Sequence, residues 1–354
     1  MASDYKQEME ELIAIVIKED ASDLHLSEGR QPIIRVAGAL IPLVKHPVLS
    51  RADLAGMLDE LLDAKKKGIF EDQKEVDFAY DHHDTRFRGN AFFRVGKISV
   101  ALRLIPKKIK SIEELKLPSI LEMFATKQQG FFLVVGPTGQ GKSTTLAAMI
   151  EMINERRLEH IITIEDPIEY LFESKKSIVD QREVSQDTPD FHSALKGMFR
   201  QDTDVIMVGE MRTPETISTA VTAAETGHLV FSTLHTNTAS QTISRIIDSF
   251  PTEQQEQIRL QLSSSLLGIF SQRLIPRISG GLIPACELLI NNNAVGNLIR
   301  ENRTHEIDSV IETGMDQGMI DLNRYLSELV RTGEITVENA YLYSQNPKSL
   351  ERMI

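Results

Sequence analysis

Apolar positions along the chain fall into two textures. Tyr5 to Lys18 places Met9, Leu12, Ile13, Val16 and Ile17 at the spacing of one helical face, which predicts an amphipathic helix. Short strand-like pieces follow at Asp23 to Leu26, Ile33 to Val36, Glu75 to Tyr80, Arg86 to Phe93 and Ile98 to Ile105. In Glu75 to Tyr80, Val76, Phe78 and Tyr80 alternate with polar or small residues, as a half-buried strand requires. Arg51 to Lys67 predicts a helix with Leu54, Met57, Leu58, Leu61 and Leu62 on its apolar face. These first hundred residues read as α+β. Pro106-Lys107-Lys108-Ile109-Lys110 is then a basic, proline-led stretch with the character of an interdomain linker. Beyond it Phe131 to Val135, Ile161 to Ile164, Val205 to Val208 and Leu229 to Thr233 are apolar runs without alternation, expected of strands buried on both faces of a parallel sheet. Helical segments at Ser143 to Arg156 and Pro214 to Thr226 separate them, so this part reads as α/β, and the signal after Ile290 is helical.

Composition narrows the function. A chain of 354 residues with 41% apolar and 25% charged residues has the makeup of a globular protein of two or three domains. Acidic residues outnumber basic ones 51 to 39, for a formal charge of −12, which argues against nucleic acid or an anionic membrane as the main partner of a broad basic surface. The single cysteine, Cys286, excludes an internal disulfide framework and zinc sites built on paired cysteines. The longest apolar run near the start, Leu12 to Ile17, is too short for a membrane span or a signal-peptide core, and the expected location is the cytosol.

Gly136-Pro137-Thr138-Gly139-Gln140-Gly141-Lys142-Ser143 matches G-x-x-x-x-G-K-[ST] and lies between an apolar run and a helical segment. A loop that wraps polyphosphate presents consecutive backbone N–H groups to the oxygens, so side chains are minimised at Gly139 and Gly141, and the following helix adds its positive dipole end. Lys142 is expected to reach the outer phosphates and Ser143 to hold Mg²⁺, so ATP or GTP is the expected ligand. Asp202 to Glu210 is an apolar strand with acids at both ends, and Glu210 takes the C-terminal edge where a carboxylate can reach Mg²⁺ or the attacking water. Glu165, Asp166 and Glu169 end another strand at the same edge. His228 and His235 flank the strand Leu229 to Thr233; His235, at its exit, shares that edge with Glu165, Glu210 and the phosphate loop, where it could sense or polarise a terminal phosphate. In the first domain Arg86, Arg88 and Asn90 alternate with Phe87, Ala91 and Phe93, which points Arg88 away from the core, and Arg103 lies on the next strand.

In this order the segments resemble the secretion ATPase superfamily of P-loop motors, and within it the retraction ATPases of type IV pili. The resemblance rests on Ala21 to Ser27, Gly136 to Ser143 as Walker A, Thr163 to Tyr170 as the Asp box and Asp204 to Glu210 as Walker B. Thr226 to Phe231 with Leu234 to Thr236 form the His box, and Ala294 to Glu301 completes the set. It implies a PAS-like α+β N-terminal domain over 1–105, a linker over 106–118 and a RecA-like P-loop ATPase domain over 119–354, with C-terminal helices from about residue 291. It also implies a homohexameric ring with ATP and Mg²⁺ bound between the domains and helped by N-domain arginines. Carried onto this chain, Lys142, Ser143 and Thr144 become phosphate and metal contacts, Glu165 and Glu169 the Asp-box acids, and Glu210 the Walker B glutamate that organises metal and water. His228 and His235 become the His-box pair, and Arg88 and Arg103 the arginines. The implied activity is ATP hydrolysis that powers pilus retraction and twitching motility. It would take place at the cytoplasmic side of the inner membrane, on the platform protein of the pilus machine and beside a paralogous retraction ATPase.

Two features depart from the resemblance: Gly296 stands where the C-terminal motif commonly has arginine, and Arg94 and Lys97 are out of register with a third basic position between Arg88 and Arg103. The rival readings are an accessory retraction ATPase, a pilus-assembly or type II secretion ATPase, a hexameric nucleic-acid translocase and a nucleotide-gated binding module. Assembly relatives usually carry a four-cysteine zinc subdomain, which this chain's single cysteine cannot build.

Overall fold

The apolar stripe near the start becomes helix α1 (Tyr5–Lys18), followed by strands β1 (Asp23–Ser27), β2 (Ile33–Val36) and β3 (Ala39–Pro42). The expected single helix from Arg51 to Lys67 is instead two, α2 (Arg51–Leu61) and α3 (Ala64–Gln73). Leu62 turns extended, and the Asp63 carboxylate accepts from Lys66 N as the cap of a new helix, a local hydrogen bond that ends the helix carrying Leu54, Leu58 and Leu61. Strands β4 (Glu75–His82), β5 (Thr85–Arg94) and β6 (Lys97–Leu104) then complete an antiparallel sheet in the order β3-β2-β1-β6-β5-β4. Met9, Leu12, Ile13 and Val16 of α1 share a core with Leu54 and Met57 of α2 and with the inward side chains Leu24, Leu26, Phe87, Ala91, Val100 and Leu102. The opposite face of the sheet is polar.

The structure is a computed structural model that describes residues 5–83 and 85–354. It divides into two units, one ending at Lys107 and the other beginning at Lys108. Part of the stretch expected as a linker is packed into the second unit: Ile112 and Leu117, apolar residues beyond the basic run, are buried against Leu121 and Phe124.

The second unit runs α4 (Leu121–Ala125), β7 (Gly130–Val135), α5 (Lys142–Arg156), β8 (His160–Glu165), β9 (Ile178–Glu183), α6 (Phe191–Met198), β10 (Val205–Val208), α7 (Pro214–Glu225) and β11 (Leu229–Leu234). It continues with α8 (Ala239–Asp248), α9 (Thr252–Ser265), the long hairpin β12 (Leu266–Pro276) and β13 (Leu282–Ile290), then α10 (Asn293–Arg300) and α11 (Ile307–Thr313). The last helices are α12 (Leu322–Arg331), α13 (Val337–Tyr343) and α14 (Pro347–Leu350). The sheet order is β13-β12-β7-β11-β10-β8-β9, parallel throughout except for β13. Alternate residues of β7 divide between two cores: Phe131, Leu133 and Val135 enter one, Phe132 and Val134 the other. That is why the run shows no alternation of polarity. The observed order is the doubly covered α/β architecture expected for this half, with a helical C-terminal part. Among the described residues, no helix is long and apolar enough to cross a membrane.

Candidate active site

The C-terminal edge of the parallel strands collects the sequence-predicted residues. Phosphate loop 136–143 leaves β7 and enters α5, whose N-terminal residue Gly141 sits in the left-handed region at φ +79° and makes no side-chain cap. Helices α7, α8 and α10, by contrast, begin at Thr213, Thr238 and Asn292, each of which caps the first turn with its own oxygen. The first turn of α5 therefore keeps its N–H groups for a ligand.

Lys142 is buried, and its Nζ donates to the carbonyls of Gly136 and Pro137 at 2.9 and 3.0 Å. Burial holds its pKa below the ordinary lysine range, against the pull of Glu210 and Glu169. The same amine is 3.4 Å from His235 Nδ1. An ammonium only donates, so Nδ1 is the acceptor and the imidazole proton lies on Nε2, 3.3 Å from Glu210 Oε1. Thr138 Oγ1 also lies 3.4 Å from Nδ1. Lys142, His235 and Glu210 thus form one polar chain from the phosphate loop to the end of β10. A hydrogen bond from Arg212, at 2.8 Å, holds the Glu210 carboxyl below the usual carboxylate range.

Glu165, at the end of β8, is buried, and burial pushes its pKa up to about 7. It accepts from Thr163 Oγ1 at 2.6 Å, Gln181 Nε2 at 3.1 Å and Glu169 N at 3.3 Å. Glu169 itself is exposed, and Thr144 of α5 meets the Tyr170 hydroxyl at 2.8 Å. Gln140 and Ser143 are half-buried at the tip and end of the loop. His228 lies elsewhere: it is at the opposite end of β11, with Nδ1 on the Ala223 carbonyl at 3.0 Å and its ring edge-on to Phe199 at 5.5 Å. The phosphate loop therefore gains one histidine of this chain rather than two.

On the polar face of the first unit's sheet, Arg88 and Arg103 are directly opposite each other on β5 and β6. Arg103 faces Asp23 across the next pair, at 2.8 Å, and Asp23 in turn faces Arg35 at 3.7 Å. Three guanidinium groups and one carboxylate thus share one transverse row. Two arginines opposed across a strand pair repel, so the row favours an anion. Arg94 is committed elsewhere, to Ser99 Oγ and the Glu28 carbonyl. Gly296 lies inside α10, where an added Cβ would meet Arg300 Nη1 only at ordinary contact distance, 3.5 Å.

Sequence reasoning missed Thr163 and Gln181, which hold Glu165, and Arg212, which holds Glu210. The position of Arg212 two residues beyond Glu210 was the one local sign. It also missed the residues of β12 that touch the loop, because the β12–β13 hairpin had not been assigned.

Residues 4–349 match the Type II/IV secretion system protein family. The chain belongs to this family. It is 44% identical over 340 residues to the type IV pilus retraction ATPase PilT of Pseudomonas aeruginosa, covering 96% of this chain and 98% of that protein. A twitching motility protein of Neisseria gonorrhoeae is 46% identical over 321 residues, covering 90% and 86%. A crystal structure of the pilus retraction motor PilT with bound ADP superposes with a TM-score of 0.91 at 47% identity, covering 97% of this chain and 98% of that one. The chain is accordingly an ATPase of the secretion family, alike over nearly its whole length to the retraction ATPases.

Proposed function

We propose that this ATPase is the retraction motor of a type IV pilus machine, working as a homohexamer that draws pilin subunits back out of the filament. The observation that carries the reading is the Lys142–His235–Glu210 chain on the phosphate loop, in a protein alike over nearly its whole length to a retraction ATPase. ATP would lie along 136–144, with Lys142 on the outer phosphates. The donor set also fits Mg²⁺: the Ser143 hydroxyl at the helix start and the Glu210 carboxylate are hard oxygen ligands. The ion would neutralise phosphate charge, while Glu210 and Glu165 orient and deprotonate water and Glu169 adds negative charge at the rim. His235 reports the terminal phosphate to Glu210 through its two ring nitrogens. The exposed Arg88 and Arg103 offer guanidinium groups suited to the γ-phosphate, and His228 acts through its packing on Phe199. The motor would work at the cytoplasmic side of the inner membrane, against the platform protein of the machine and beside a paralogous retraction ATPase.

Complementation of a deletion strain tests this. The wild-type chain should restore twitching, whereas Arg88→Ala should leave cells hyperpiliated and non-motile, because a missing arginine can cost on the order of a thousandfold in phosphoryl transfer. Bald cells in the deletion strain would make the chain an assembly motor instead.

A further inference from the structure

Strand β12 carries polar residues in mid-strand that the ATPase site as described does not use. It runs parallel to β7 with Ser271 opposite Val135, the last residue of β7, and continues alongside the phosphate loop. Strand alternation sends Ser271 and Arg273 to one face and Gln272 to the other. Gln272 is buried, its Nε2 donating to the Gln140 carbonyl at 2.8 Å while its Oε1 accepts from Thr145 Oγ1 at 2.6 Å. Gln140 answers from the loop: its own Oε1 accepts from Leu274 N at 2.7 Å. The approach is close enough that a Cβ on Gly136, whose φ is +148°, would lie 2.5 Å from the Gln272 carbonyl oxygen. On the other face Ser271 Oγ donates to Asn237 O at 2.8 Å, and Arg273 donates to Asn237 O and Oδ1 at 3.0 Å each. Asn237 lies two residues past His235.

We propose that Gln272 and Gln140 are positioning residues that tie the phosphate loop to β12 in its binding shape and so keep it in register with the His235–Asn237 segment. The inference rests on the nucleotide site described above. A glycine-containing loop without the tie samples other conformations and must be ordered when the phosphates arrive, so the cost falls on nucleotide affinity. At saturating nucleotide the phosphates hold the loop and the chemical step is unchanged. A purely structural role would instead lower thermal stability and the active fraction, and leave KM alone.

The test uses the full chain with Mg-ATP kinetics and titration by a fluorescent ADP. Gln140→Ala removes a half-buried side chain, and Gln272→Met keeps the volume while removing donor and acceptor. Each variant should raise KM and the ADP Kd about tenfold, the size expected for one or two net hydrogen bonds, and Gln272→Met, which lies outside the loop, should keep kcat within about twofold of wild type. The double variant should be scarcely worse than either single one, because both bonds serve one tie. Unchanged KM and Kd, or a fall in kcat alone, overturns the proposal, and an additive double variant overturns the reciprocal tie. If Gln272→Met does not fold, Gln140→Ala decides alone. Lys142→Ala run alongside separates the two readings: if it also keeps wild-type affinity, the nucleotide site is wrong, whereas if it loses affinity while the glutamine variants do not, only the tie is wrong.

Discussion

The two edges of the parallel sheet carry similar residues and do different things. At the N-terminal edge His160 Nδ1 meets the carbonyls of Gln201 and Asp202 at 2.8 and 3.1 Å, Nε2 meets Asp180 at 2.9 Å, and its backbone N–H donates to Asp204. Arg157 pairs with Glu159 and the carbonyls of Ala125 and Lys127. These groups are partnered by their neighbours. At the C-terminal edge burial raises the pKa of Glu165 to about 7, and the Lys142 amine rests on loop carbonyls that a phosphate would displace. Glu287 on β13, close to that edge, is also buried and pushed up to about 7, although it accepts from Ala239 N at 2.8 Å. Charge and hydroxyl content alone do not mark a site. What marks it is polar groups held at an energetic disadvantage beside an open helix start.

The largest effect expected from disturbing the working edge comes from Glu210→Gln. The amide keeps the size and shape of the side chain but loses the charge that organises metal and water. Turnover should fall at least a hundredfold, while fluorescent ADP binds within a few-fold of wild type. An equal loss of affinity would make Glu210 a binding residue and blur the contrast between the edges.

A smaller effect concerns stability. The folded-state pKa of Glu287 is raised, so its contribution is fully present below the ordinary glutamate pKa and is lost as pH rises through about 7. Above that the wild-type chain must hold an ionised carboxylate in the core, with Asp308 and Asp321 also repelling it and Arg273 only partly compensating. Glu287→Gln keeps an acceptor for Ala239 N. It should therefore unfold at higher denaturant than wild type at about pH 8, by up to about 3 kcal/mol, with the difference falling below about 1 kcal/mol near pH 5. Equal stability at both values would show that Glu287 is solvated in solution.

How much of this was legible depended on whether the signal was local. The parallel strands at Phe131, Ile161, Val205 and Leu229 were readable as apolar runs, and Gly136 to Ser143 as a motif, because each is short and contiguous. The strand edge then followed, since parallel strands put Glu165, Glu210 and His235 at one end. The break at Leu62 was hidden because Leu54, Met57, Leu58, Leu61 and Leu62 keep helical spacing up to the break itself and the helix-favouring Ala64 to Lys67 follow it. The β12–β13 hairpin was invisible for a different reason: its residues Ser271, Gln272 and Arg273 look like polar interruptions of an apolar run until Gln140 and Asn237, far away in sequence, are placed against them. Interactions that span 34 to 132 residues leave no periodicity to read.

The smallest predicted effect tests the quiet edge. Burial works against the His160 imidazolium, but hydrogen bonds to Asp180 and to the carbonyls of Asp202 and Gln201 outweigh it and hold the pKa above the ordinary histidine value. A raised histidine pKa stabilises the fold below the unfolded-state value and loses that contribution as pH rises through the folded-state value. Asp180→Asn removes the charged partner. It should lower stability more near pH 6 than at about pH 8.5, because the ion pair is lost as the imidazole gives up its proton. The Asp180 carboxylate is 63% exposed, so the loss should stay below about 1 kcal/mol. Because Asp180 acts on His160, which begins β8 at the strand end opposite the phosphate loop, kcat and KM for ATP should match wild type at both pH values. Chemical denaturation and steady-state kinetics on the same preparation decide it: a change in kcat would mean that the N-terminal edge also communicates with the nucleotide, and that the two ends of the sheet are not separate in function.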